Sequence, residues 1–375
     1  MAGIYLHIPF CRQACTYCNF HFSTLLANKT ALLAALQQEI RLTPAMAANE
    51  IIETIYFGGG TPSLLLPEEI RSIFETVQQK FIISPIAEIT LEANPDDISP
   101  TILESWKAMN INRLSLGVQS FNEAELKWMN RAHNAGQSLQ SIQDIKAAGF
   151  ENFSVDLIYG SPLLSNEDFK KNVELVFSFG VPHVSAYALT VEPKTALHSF
   201  INAKKMAPVD EVRQAEQFEI LVAMMGAAGY EQYEISNFAL PGFRSRHNSS
   251  YWQGKPYYGF GPSAHSFDGN NKRRWNIANN ALYQKSIENN TLPIEEEILT
   301  PTQQLNEYIM ISLRTMEGID MNVVMDRFGE ENMRILNKGA ETFISQQLLA
   351  RIDEHLILTN KGKFLADGIA SDLFF

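Results

Sequence analysis

Three cysteines lie within eight residues, Cys11, Cys15 and Cys18, and they are the only cysteines of the 375-residue chain. The spacing is Cys-x3-Cys-x2-Cys, directly after a short apolar run, Gly3-Ile4-Tyr5-Leu6-His7-Ile8. An odd trio confined to one loop is no disulfide framework. Thiolates are soft ligands suited to zinc or iron–sulfur clusters. Four would close a tetrahedral zinc site or occupy every corner of a cubane, whereas three leave one metal position open for chemistry. Cysteines that serve only as small buried hydrophobes would be scattered rather than gathered in one loop. The remaining alternative is a structural zinc knuckle completed by His7 or His21.

The trio must be held by the elements around it. Strand-like runs at Gly3–Ile8, Glu53–Phe57, Glu88–Glu92, Arg113–Gly117, Phe153–Leu157 and His183–Tyr187 alternate with helical periods at Thr30–Leu42, Pro67–Lys80, Pro100–Met109, Ser138–Ala148 and Asn166–Phe179. Six strand–helix repeats predict an α/β fold with parallel strands and outer helices, either a barrel or an open sheet. In such folds ligands gather at the carboxyl ends of the strands. Val209–Gly229 reads as a long helix, and residues 230–275 are aromatic- and glycine-rich with little periodicity. Helices at Leu305–Met316, Asn322–Phe328 and Asn332–Gln346, then a strand and turn at Leu356–Gly362, predict a winged-helix-like module. The expected organisation is a barrel over 1–230, a connecting region over 231–299 and the C-terminal module over 300–375.

Composition bounds the function. Hydrophobic residues make up 45% and charged residues 19%, an ordinary globular balance. The formal net charge of −12 disfavours a nucleic-acid partner. From Glu307 to Asp372 there are 7 Lys/Arg against 11 Asp/Glu, a balance of −4. DNA binding by the module is therefore not expected, and a lid or docking role is. No apolar run approaches a membrane span, no secretory signal is expected, and thiols kept reduced place the protein in the cytoplasm.

Polar signals recur just past the strands. Gly58-Gly59-Gly60-Thr61-Pro62 follows the second strand, and its glycines permit close backbone approach. Glu92, with Asn94 and Pro95 behind it, ends the third strand. Gln119 follows the fourth, with Arg131 in the next loop or helix, and Asp156 ends the fifth. Singly each is more often a cap or surface group. Together they set two carboxylates, an amide and a guanidinium around one rim, a cradle for a ribose, an adenine and an amino acid.

At these residues the chain resembles a known superfamily. Cys11-x3-Cys15-x2-Cys18 with Gly58–Pro62 is similar to the radical SAM superfamily, which implies a partial (β/α)6 barrel. The longer strings Tyr5–Cys11, Gly117-Val118-Gln119-Ser120-Phe121 and Asp156-Leu157-Ile158-Tyr159-Gly160 resemble the oxygen-independent coproporphyrinogen III oxidase family, over nearly the whole chain. Oxidase members carry a further cysteine where this chain has Phe20, and His247-Asn248-Ser249-Ser250-Tyr251-Trp252 resembles a motif of the HemW-type heme chaperones. The resemblance implies that Cys11, Cys15 and Cys18 ligate three irons of a [4Fe-4S] cluster and that S-adenosylmethionine chelates the fourth. It implies that Tyr5, Tyr17, Gly59, Gly60 and Thr61 line the sites near the cluster, and that Glu92, Gln119, Arg131 and Asp156 hold S-adenosylmethionine. Ala188 and His265 fall where the oxidases contact their nucleotide. Such a cluster passes one electron to the sulfonium; the protein orients the cofactors and excludes water.

His247 is the expected heme contact, with Tyr251 and Trp252 stacking on a porphyrin face and Arg244 or Arg246 meeting a propionate. His7 is expected to donate a hydrogen bond behind the cluster loop. The implied function is a heme chaperone that passes heme to an acceptor protein, supplied with electrons by a flavodoxin or ferredoxin. The alternative is oxidative decarboxylation of coproporphyrinogen III.

Overall fold

The computed structural model describes residues 2–47 and 49–375. Its centre is a parallel sheet formed by β1 (Ala2–Ile8), β2 (Ile51–Gly59), β3 (Ile82–Ala93), β4 (Arg113–Gln119), β5 (Phe153–Tyr159) and β6 (His183–Ala188), adjacent in that order. Each is followed by a helix over the outer face, at Lys29–Leu42, Pro67–Lys80, Pro100–Ala108, Ala135–Ala147 and Asn166–Ser178 for the first five. Crossover helices of this length are what parallel neighbours require. The fourth expected helix begins three residues early, because Asn134 caps it and Gln137 closes a capping box.

Strand alternation sorts the chemistry. One side of each strand, including Ile4, Leu6, Phe57, Leu91, Leu116, Val155 and Leu157, is fully or almost fully buried in a single apolar core under the helices. The opposite side is polar. Tyr5 stands beside Tyr56, Glu92 beside Ser115, and Asp156 beside Ser185. An apolar core shared by sheet and helices supplies the stability, and leaves the inner face free to carry charge.

The aperiodic stretch after residue 230 contributes strands to both edges. β7 (Glu231–Glu234) and β8 (Asn237–Ala239) add antiparallel to β6. β9 (Tyr257–Phe260) adds parallel to β1, followed by β10 (His265–Phe267), β11 (Lys272–Asn276) and β12 (Ile294–Ile298). The result is a twelve-stranded sheet. These strands are three to five residues long, too short to show a period, and depend on their neighbours for pairing.

The C-terminal module has its own core, built on Leu305, Ile309, Leu336 and Leu356. Helices Pro301–Leu313, Met321–Phe328 and Glu330–Ser345 pack with a small antiparallel sheet of β13 (Ile319–Asp320), which lies between the first two helices, and β14 (Leu349–Ile352) and β15 (His355–Leu358), which follow the third, the helices-and-wing arrangement the sequence predicts. It docks on β7 through Arg314, which donates to the buried Glu234 carboxylate at 2.8 Å. Among the described residues, no helix is long and apolar enough to cross a membrane.

Candidate functional site

The thiol loop is pinned on all sides. Cys11 N–H donates to the Ser23 carbonyl and Ser23 N–H to that of Pro9. Thr16 N–H reaches the Met129 carbonyl, and Asn130 Nδ2 donates to Ala14 O at 2.8 Å. Arg12 holds Asp97 at 2.6 Å. Backbone contact with the following loop is close: Gly60 N–H donates to Ile8 O, and a Cβ on Gly60 would stand 2.6 Å from Phe10 O. Gly59 has φ +108°, a conformation that only glycine adopts without strain.

All three thiols are free and partly exposed. They open onto one cavity of about 800 Å³ at the carboxyl ends of β1–β6. Tyr17, Gly59, Gly60, Thr61, Glu92, Gln119, Arg131, Asp156 and Ala188, all expected from the sequence, line it too. Thr61 Oγ1 donates to Cys11 Sγ at 3.5 Å, and Arg131 Nη1 to Cys15 Sγ at 3.3 Å. Burial pushes the Cys11 thiol up and the Cys18 thiol to about 11. Both therefore hold their protons until a bound cation compensates the thiolate. Among the described residues, no three His, Cys, Asp or Glu side chains converge on a single ion. The zinc knuckle finds no histidine either. His7 bonds Tyr5 OH and His21 O through its two ring nitrogens, and His21 Nε2 bonds Asn280.

Arg131 organises the rim. It donates to Asn94 Oδ1 and Gly117 O, both at 2.7 Å, and to Tyr17 OH at 3.3 Å. Its buried Nε has no partner. Gln119 lies at φ +67°, past a register shift in β4 that turns its side chain towards the cavity. A non-glycine residue held in that region is strained, and such strain collects at binding sites.

The carboxylates of Glu92 and Asp156 line the cavity, and among the described residues neither forms a salt bridge. Glu92 accepts from Tyr56 OH at 2.8 Å and Gly59 N–H at 3.1 Å, and burial pushes its carboxyl up to about 8. Burial likewise raises Asp156 to about 6, opposed by hydrogen bonds from Ser185 and Ser115. Two recessed carboxyls, an unfilled guanidinium N–H and three thiols are a donor set that fits a cluster together with a ligand carrying an ammonium, a carboxylate and hydroxyls.

Three expected site residues stand elsewhere. Tyr5 is on the inner face behind the cavity, its OH donating to His7 Nδ1 at 3.1 Å, since the other ring nitrogen of His7 donates to His21 O. His265 is exposed on β10, cross-strand from Trp275 with their rings 6.0 Å apart. The added strands β9 and β10 lie beyond β1 in the sheet, and His265 does not line the cavity.

His247 departs furthest from expectation. The helix Arg246–Trp252 plugs the inner face at the strand starts, and His247 is 1% exposed. Its Nδ1 bonds Thr54 Oγ1 and its Nε2 bonds Tyr251 OH, both at 2.8 Å, while Tyr56 stacks on its ring at 5.0 Å. Burial holds it neutral, down to about 3. Both nitrogens are used, so the imidazole offers no lone pair to an outside ligand here. Arg244 pairs with Glu231 and Glu317, and Arg246 donates to Ile86 O. Trp252 lies under the Arg314 guanidinium, 5.2 Å from ring centre. The motif thus ties the barrel's inner face to the C-terminal module.

Sequence reading missed Tyr56, Tyr187, Arg314 and the turn Lys363–Gly368, which line or support the same cavity. Tyr56 had a signal, being on the same strand face as Thr54 and Gly58. The turn had none, since only docking of the module brings it there.

The fold has the form of a known class. Residues 5–176 match the Radical SAM superfamily model, and residues 299–365 match the HemN C-terminal domain. The fold is that of the Escherichia coli structure described as coproporphyrinogen III oxidase (HemN), a radical SAM enzyme, with TM-score 0.86 and 22% identity, covering 100% of this chain and 90% of that one. The class is a radical SAM protein with a HemN-type C-terminal domain. The chain is 34% identical to the heme chaperone HemW of Mycobacterium tuberculosis, covering 99% of this chain and 94% of that protein. It is 31% identical to that of Bacillus subtilis, covering 98% of each. The chain belongs to the HemW family.

Proposed function

We propose that the protein is a heme chaperone, binding heme at the mouth of the thiol-lined cavity and handing it to an acceptor protein, with a [4Fe-4S] cluster on Cys11, Cys15 and Cys18 and S-adenosylmethionine on the rim. The observation that carries this reading is the composition of one cavity. It is lined by the thiols, Glu92, Gln119, Arg131 and Asp156 and also by Phe20, Phe364 and Leu365, which are 68%, 43% and 49% exposed. A volume of about 800 Å³ lies within the range of cofactor-sized sites. The name heme chaperone borne by relatives over their full length supports the same reading.

When bound, the cluster supplies an electron to the sulfonium of S-adenosylmethionine. The chain's residues bind and orient. Thr61 and Arg131 donate to sulfur and stabilise thiolate charge. Glu92 and Asp156 accept from ammonium or hydroxyl groups, which favours their ionised forms. The Arg131 guanidinium, fixed by Asn94 and Gly117, has one N–H left for a carboxylate or purine. A flavodoxin- or ferredoxin-like donor would approach the exposed side of the thiol loop.

The test compares two activities. Cluster-reconstituted protein is incubated anaerobically with coproporphyrinogen III, S-adenosylmethionine and a reductant, and separately loaded with hemin and mixed with an apo-hemoprotein. Heme transfer without protoporphyrinogen formation is expected. Protoporphyrinogen formed at a catalytic rate would overturn the chaperone reading in favour of the oxidase.

A further inference from the structure

Among the described residues, the wall that the C-terminal module gives the cavity carries one cation that makes no salt bridge. Lys363 lies half-buried in the turn after β15, on the wall formed with Phe364, Leu365 and Arg314. Its Nζ donates to the neutral amide oxygen of Gln232 on β7 at 2.9 Å. Among the described residues it forms no salt bridge; Arg314, its charged neighbour on this wall, is neutralised by Glu234 and Asp367, each at 2.8 Å. Burial lowers the Lys363 ammonium with no carboxylate to offset it. A partly desolvated ammonium on the wall of a roomy cavity, held by one neutral acceptor, is costly unless an anion fills the place beside it.

The chemistry around it narrows what that anion belongs to. Phe364 projects on the same turn, its ring 5.8 Å from that of Phe218, and Phe20 faces the same space from the thiol loop. Apolar aromatic surface from two elements and an ammonium on the same cavity suit a flat, apolar molecule bearing a carboxylate. Deepening the heme-chaperone reading and resting on it, we infer that Lys363 receives a carboxylate of the tetrapyrrole, whose ring lies against Phe364 and Phe20. This moves carboxylate recognition from Arg244 and Arg246, which are engaged elsewhere, to the C-terminal module. The module thereby acts as the part of the protein that distinguishes an acidic tetrapyrrole from a neutral one.

The experiment titrates hemin and hemin dimethyl ester into the full-length, cluster-reconstituted protein and follows the Soret band. Wild type is expected to bind hemin about tenfold more tightly than the ester, the scale of one partly buried ion pair. Lys363→Gln is expected to lose about tenfold for hemin, to leave the ester unchanged, and to regain most of the loss as Lys363→Arg. Equal affinity of wild type for hemin and ester overturns the inference, and that comparison needs no variant. So does an equal loss of both ligands in Lys363→Gln, which would mark Lys363 as only a clip between the module and Gln232. Failure of wild type to bind either compound overturns the heme reading itself.

Discussion

Glu92 makes the fold less stable than it would be without the carboxylate, and this can be measured. Burial raises its carboxyl from the ordinary 4.5 to about 8, against hydrogen bonds from Tyr56 and Gly59 that pull it down. The sign follows from linkage. The unfolded chain loses this proton near 4.5 and the folded chain keeps it to about 8, so stability is lost as pH rises between them. At pH 7 that difference integrates to about 3 kcal/mol, a large share of a domain's net stability. Glu92→Gln keeps an acceptor oxygen and carries no charge. In denaturant titrations of the cluster-free, reduced protein, the variant should match wild type near pH 4.5 and exceed it by about 3 kcal/mol at pH 7. The same variant should lose S-adenosylmethionine affinity, because it cannot offer a full charge to an ammonium or hydroxyl pair. A variant no more stable than wild type at pH 7, or a stability difference independent of pH, would refute the reasoning.

Other perturbations test separate parts. His247→Ala removes the partner of both Thr54 and Tyr251 and opens a void under Tyr56; it should destabilise by about 3 kcal/mol in chemical denaturation. Because burial holds His247 near 3 and His7 near 4, the unfolded chain takes up protons first as pH falls. Wild type should lose stability below about pH 6.5 and His247→Ala should show a shallower loss. The Soret titration of His247→Ala should keep hemin binding once the fold is verified by circular dichroism; abolished binding by a folded variant would return the imidazole to the heme site. Arg131→Lys replaces a fork that reaches four groups with one ammonium, and should cost about 2–4 kcal/mol and lower cluster occupancy, read from iron and sulfide content.

Much of the site was legible because its residues sit at a regular place in a regular fold. The six strands and the loops after them follow from alternation and length alone. One polar residue at the carboxyl end of a parallel strand is more often a cap, but several around one rim point to binding. Cys11, Cys15, Cys18, the glycine loop, Glu92, Gln119 and Asp156 all occupy such positions, and local sequence suffices to put them there. Arg131 reaches the same cavity from the loop before the helix at Ala135–Ala147, and its long side chain makes that possible.

What the sequence by itself determined was the parallel sheet, the helix-and-wing module and the thiol loop, because hydrophobic period and residue type act locally. What only the tertiary structure decided was which side of the sheet each later segment meets. The short strands β7–β12 carry no readable period and take their places by pairing with β6 and β1. That pairing buries His247 against Thr54 and Tyr251, although its motif reads as an exposed ligand loop. It also leaves His265 on an outer strand. Docking of the C-terminal module through Arg314 and Glu234 then brings Lys363 and Phe364 to a cavity more than 300 residues away in sequence from the cysteines. No local pattern encodes such a meeting, since it depends on the sum of two cores and one interface.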